Sequence, residues 1–116
     1  MTTRIFTATT AFLALTVPAF AHAHLKLSDP ADGATVTKAP TELSLTFTEA
    51  LEPALSGVSI ADTQGHDMAA KPAKISGTTM ILSVKPLAGG SYRVSWRAVA
   101  VDSHRTEGTY NFTIKP

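Results

Sequence analysis

The sequence predicts an all-β fold, an antiparallel β-sandwich of Ig-like, Greek-key type with about seven strands. Three observations carry that expectation. Apolar and polar residues alternate at period two in four separate segments, the signature of a half-buried strand. Glycine and proline fall between these segments at intervals of roughly 8 to 15 residues. Beyond residue 23 no stretch sustains the i, i+3, i+4 apolar spacing of a helix.

Taken in order, the first element stands outside that fold. Arg4 supplies one positive charge, Ile5 to Phe20 carries no charged side chain, and Ala21-His22-Ala23 offers small residues at the two positions a signal peptidase reads. Residues 1–23 are therefore read as a secretory signal peptide and residues 24–116 as one sandwich domain, exported to the periplasm. A membrane anchor needs about 20 apolar residues, whereas this run is shorter, rich in Thr and interrupted by Pro18. Cleavage after Ala23 leaves 93 residues with balanced charge and makes His24 the amino terminus, which offers one metal both an α-amine and a ring nitrogen. A competing cut after Ala21 leaves His22-Ala23-His24, and a His in third position also chelates Cu(II), through the amine, two deprotonated amides and the imidazole.

The strands follow. From Glu42 to Glu49, Leu43, Leu45 and Phe47 share one face while Ser44, Thr46 and Thr48 share the other. Met80, Leu82 and Val84 repeat the pattern, as do Tyr92, Val94 and Trp96, then Tyr110, Phe112 and Ile114. Leu25 to Leu27, Val58 to Ile60 and the Lys74-Ile75 neighbourhood are shorter candidates. Pro30 to Gly33, Pro53, Gly57, Gly65, Gly77 and Gly89-Gly90 are among the residues that punctuate them. A domain of this size buries about two-thirds of its unfolded surface, enough for a core without disulfides. Phe47, Trp96, Tyr110 and Phe112 fall at inward phases and are assigned to that core. The sequon Asn111-Phe112-Thr113 lies inside a predicted strand and is discounted as a glycosylation site.

Composition narrows the chemistry. The 116 residues carry a formal charge of +1 with no run of basic residues, which removes the cationic footprint that nucleic acid or anionic lipid requires. With no Cys, thiolate metal sites, disulfides and Cys nucleophiles are excluded together. No Ser-His-Asp set, phosphate-binding Gly loop or HExxH helix is found. What packing leaves unexplained is the segment Ser95 to His104. Asp102 and His104 are two apart at a strand end, and in an extended chain such residues project to one side, about 6.5 to 7 Å apart. Alone, Asp-x-His reads equally as a surface ion pair or turn pair; His24 gives it weight.

Together, His24-Leu25-Lys26-Leu27, Ser28-Asp29-Pro30-Ala31-Asp32-Gly33, Leu45-Thr46-Phe47-Thr48-Glu49, and Tyr92-Arg93-Val94-Ser95-Trp96-Arg97-Ala98-Val99 leading to Asp102-Ser103-His104 resemble, in order and spacing, the CopC family of periplasmic copper-binding proteins. The resemblance spans essentially the whole chain after residue 23. It implies a cupredoxin-like β-sandwich binding one Cu(II) through the amine and ring of His24, the ring of His104 and the carboxylate of Asp102, with Glu49 nearby as an auxiliary or outer carboxylate. It further implies a role in copper homeostasis and resistance, without enzymatic activity, sequestering copper or passing it to a CopD-type inner-membrane transporter. One departure stands out: where some members carry a Met-rich Cu(I) loop, residues 60–70 contain only His66 and Met68, read as ordinary loop residues. Two other classes compete. One is a histidine-brace copper monooxygenase, disfavoured by the small surface and by an Asp at a position that oxygen activation needs open; the other is a metal-free Ig-like adhesion module.

Overall fold

The computed structural model describes residues 23–116; the expected signal peptide, apart from Ala23, lies outside the described residues. Among these residues eight strands form two four-stranded sheets packed face to face. In the first, β1 (Leu25–Asp29), β3 (Glu42–Phe47), β6 (Thr79–Ser83) and β5 (Lys74–Ser76) lie in that order. In the second, the order is β2 (Thr35–Val36), β8 (Arg105–Ile114), β7 (Gly90–Val99) and β4 (Gly57–Ala61). The chain crosses from sheet to sheet between most successive strands, giving the Greek-key sandwich that the sequence predicts.

Period-two alternation sets the layers. Leu43, Leu45 and Phe47 of β3 and Met80 and Leu82 of β6 face Tyr92 and Val94 of β7 and Tyr110, Phe112 and Ile114 of β8, all of them buried. Tyr92 stacks on Phe112 with ring centroids 5.6 Å apart, and Trp96, half-buried, meets Phe47 edge-on at 5.1 Å. Such pairs add about 0.5–1.5 kcal/mol beyond their buried area. Trp96 also sits directly over Gly108, its cross-strand partner. A Cβ at residue 108 would lie 2.6 Å from Trp96 Cε2 and 2.9 Å from its Nε1, so only glycine leaves room for the indole.

The structure departs from the expected elements in three places. β2 was not foreseen: two residues pairing in parallel with Thr113 and Ile114 are too few to show an alternation. The segment expected from Glu42 to Glu49 leaves the sheet after Phe47, with Thr48 and Glu49 in a bend. Val84 lies just past β6, in an isolated bridge to Ala69.

Two outcomes test this packing. Gly108→Ala should destabilise the domain by about 1–3 kcal/mol through the overpacking of Trp96, read as a lowered denaturant midpoint. Tyr110, 3% exposed, is the other probe. Burial lifts its phenol from 10 to about 12; the Ser28 hydroxyl offsets part of that rise, and the Asp29 and Asp32 carboxylates reinforce it. Because the folded value is the higher, the unfolded chain loses this proton first. Stability should hold below about pH 10 and fall by about 2–3 kcal/mol as pH rises to about 12. Tyr110→Phe should remove that part of the alkaline loss in pH-dependent unfolding curves.

Candidate metal centre

Three segments meet at one end of the sandwich. The first is the residue before β1. The Thr48 amide donates to the His24 carbonyl at 2.9 Å, and the His24 amide donates to Thr48 Oγ1 at 3.0 Å, tying residue 24 to the bend just past the last ladder pair, Leu25↔Phe47. Glu49 is next in the chain, half-buried. The carbonyl before His24, that of Ala23, accepts from Thr106 Oγ1 at 2.5 Å, which sets this segment against the start of β8.

The second segment, residues 48–56, is tied to the end of β7. Glu52 N donates to Val99 O at 2.8 Å, and Val101 N to Ala50 O at 3.1 Å. Ser56, buried, accepts from Val99 N at 3.0 Å and donates to Val99 O at 3.4 Å. Glu49 is thereby carried toward the turn that bears the remaining candidates.

That turn, residues 100–104, joins β7 to β8. The Ala100 amide donates to His104 O at 2.9 Å and the Ser103 amide to Ala100 O at 2.8 Å, with Ser103 in the left-handed region at φ 75°. Asp102 Oδ1 accepts the His104 amide at 3.1 Å, a side-chain turn of the Asx type. Its Oδ2 lies 3.1 Å from His104 Nδ1, with both side chains more than a third exposed. Asp102 and His104 therefore do converge, but not by the extended-strand pitch expected from their spacing. A tight turn brings carboxylate and imidazole into contact, because the ladder has already ended at Val99↔Arg105.

His24 and Thr48 are thus brought together, as are Asp102 and His104, at one end of the fold. Among the described residues no group of three or more His, Asp or Glu side chains is arranged to hold one ion. With Ala23 still attached, the nitrogen of His24 is an amide that donates a hydrogen bond, so the amine expected as a ligand does not exist in the uncut chain.

His66 and Met68 diverge. His66 is exposed, with Nδ1 3.0 Å from Asp62 Oδ2, while Met68 packs against the core and is anchored by backbone bonds to Ile60 and Lys85. The His66 amide is the main influence holding the Asp62 carboxyl below its usual range. Thr48, Ser56, Ser103 and Thr106 help build this end, though the sequence assigns none of them a role there: Thr48 and Ser103 stand only as members of longer motifs, and hydroxyl residues on polar faces and in turns read as solvated surface.

A two-sheet β-sandwich with imidazoles and carboxylates at one rim is the class that fold and site define. The CopC domain family matches residues 25–115. Copper resistance protein C of Xanthomonas campestris pv. juglandis is 40% identical over 106 residues, covering 84% of this chain and 83% of that protein. Protein YobA of Escherichia coli K12 is 37% identical over 105 residues, covering 87% and 85%. Among solved structures, CopC from Methylosinus trichosporium OB3b superposes with a TM-score of 0.75 at 34% identity, covering 82% of this chain and 95% of that one. PcoC, a methionine-rich copper resistance protein from Escherichia coli, gives 0.71 at 37% identity, covering 82% and 100%. The chain belongs to the CopC family. No helix among the described residues is long and apolar enough to cross a membrane.

The turn itself yields a test. A left-handed non-glycine residue costs about 1 kcal/mol or more. Ser103→Gly should therefore leave stability unchanged or raised, whereas Ser103→Val should lower the unfolding midpoint and separate Asp102 from His104, observed as loss of the protected His104 amide in hydrogen exchange.

Proposed function

We propose that this chain is a periplasmic Cu(II)-binding protein of copper resistance that holds one ion per chain, sequestering it or passing it to a CopD-type membrane transporter, and that it is not an enzyme. The observation that supports this reading is membership of the CopC family, which includes proteins named for copper resistance, in a sandwich whose one end carries the His24–Thr48 and Asp102–His104 contacts. Once residues 1–23 are removed, the His24 nitrogen becomes an amine with a lone pair. Amine and ring of His24, the ring of His104 and the Asp102 carboxylate then make a donor set of three nitrogens and one oxygen, with Glu49 as an auxiliary carboxylate. In the metal-free structure the Asp102 carboxylate faces His104 Nδ1, so joint ligation of one ion requires that contact to be exchanged for bonds to the metal.

Donor chemistry supports the oxidation state. Imidazole, amine and carboxylate suit Cu(II), while Cu(I) selects soft thioethers. Beyond residue 1 the chain has only Met68, packed against the core, and Met80, fully buried. The solved relative described as methionine-rich differs on this point. Exposure of the rim supports exchange with a partner, because an incoming ligand can approach without unfolding the sandwich.

In a chain beginning at His24, one Cu(II) should bind with a tetragonal, type 2 paramagnetic resonance spectrum. His104→Ala and Asp102→Ala should weaken it by more than about tenfold, the His change more, since loss of outer-shell partners alone costs 10–100-fold at metal sites. His66→Ala should have no effect. Acetylating the amine, or leaving one residue before it, should lose much of the affinity without changing metal-free stability. Affinity should also fall as pH drops and the nitrogens protonate. Unchanged Cu(II) binding after amine blockage would sink the assignment.

A further inference from the structure

We propose that Thr48 is a positioning residue for the copper site: its hydroxyl holds the nitrogen of His24, as an amide in the uncut chain and as the α-amine once the chain begins at His24. The inference rests on the reading of that nitrogen as a ligand. Both polar atoms of the Ala23–His24 peptide are engaged by threonine hydroxyls, one from β8 and one from the bend after β3. Thr106 Oγ1, in β8, donates to the carbonyl at 2.5 Å, and Thr48 Oγ1, just past β3, accepts from the nitrogen at 3.0 Å. Cutting that peptide removes Ala23 and with it the acceptor of Thr106. Thr48 keeps its partner.

The change at the nitrogen is what gives Thr48 its role. An amide has one hydrogen and a lone pair delocalised into the carbonyl; a neutral amine has two hydrogens and a localised lone pair. One N–H directed at Thr48 Oγ1 fixes the orientation of the group and leaves the lone pair for a metal. Thr48 also donates its own amide to the His24 carbonyl at 2.9 Å, so a single residue pins residue 24 on both sides. First residues of a chain fray unless tied down, and a chelate formed by amine and ring requires both in one arrangement, so ordering beforehand raises affinity. Thr48 is exposed, and its hydroxyl is not needed to satisfy the core.

All eight strands and every core side chain except that of Ala23 lie within residues 24–116, so the cut chain retains the elements of the fold. Thr48→Val keeps the side-chain shape and removes the acceptor; Thr48→Ser keeps the hydroxyl. In the uncut, metal-free chain, exchange of the His24 amide hydrogen should quicken about fivefold to tenfold in Thr48→Val and stay at the wild-type rate in Thr48→Ser, the size expected for one hydrogen bond. In the chain beginning at His24, Thr48→Val should lose about tenfold in Cu(II) affinity against a competing chelator. Its resonance spectrum should broaden into a mixture, its metal-free unfolding midpoint should not move, and Thr48→Ser should restore both affinity and spectrum. Thr106→Val should leave the Cu(II) affinity of the cut chain unchanged. Unaltered exchange in Thr48→Val, or altered exchange with unaltered Cu(II) affinity, overturns the positioning role. If the wild-type cut chain holds no Cu(II), the proposed function fails, and with it the role of Thr48 as a positioning residue, while the exchange rates still report whether the hydroxyl holds the nitrogen.

Discussion

The antiparallel ladder between β7 and β8, running from Gly90↔Ile114 to Val99↔Arg105, is the constraint on which the rest of the molecule depends. Its register decides which side chains enter the core, since a slip of one residue would turn Tyr110 and Phe112 outward. Trp96 locks that register. Its indole needs a partner without a side chain, and Gly108 is the residue of β8 placed opposite it. The same register sets where the ladder stops, and therefore which residues close the hairpin. Residues 100–104 are left to make the turn, and Asp102 and His104 fall within it because the pairs before them are already spent.

The core and the two-sheet class were legible because burial on one face writes period two into the sequence. Leu43, Leu45, Phe47 and their counterparts on β6, β7 and β8 could be read directly. Short or irregular pieces could not. β2 is two residues long, and Thr48 and Glu49 continue the alternation of β3 although the backbone has already bent away. At the site, the sequence named Asp102 and His104 but attributed their approach to strand geometry. What brings them together is a left-handed Ser103 and an Asx-type bond, features of φ and of side-chain-to-backbone contact that a residue pattern does not encode. Thr48 was hidden for the same reason: its hydroxyl matters through a partner 24 residues away in sequence.

The site end is assembled from segments that no local motif connects, and the ties between them are mainly single hydrogen bonds to backbone. Ser56 fastens the loop after β3 to Val99, Ala50 to Val101, and Thr48 to His24. Each is modest in isolation, at most about 1 kcal/mol net, and the exposed tie of Thr48 to His24 orders the chain locally without adding to global stability. Their effect is cumulative because all of them constrain the same rim, and the sandwich behind them does not yield. The core supplies rigidity and, in the proposed function, the rim supplies donors.

That division bears on how an ion could enter and leave. A metal buried in the core would be exchanged only through local unfolding, at a cost approaching the stability of the domain. At a rim where Asp102 and His104 are more than a third exposed and His24 is exposed, an incoming donor can bond to the metal before an outgoing one releases it. Exchange by this route asks nothing of the sheets. In the proposed copper-binding function, affinity then depends on how well the donors are held in place before metal arrives, and the rate of release on how readily one of them swings aside. Asp102 and His104 are held to each other by the turn, whereas in the proposed cut chain His24 is the first residue. On the proposed assignment, the ligand with the greatest freedom to detach is also the one whose affinity depends most on its tether, and the contact with Thr48 is where retention and release would be balanced.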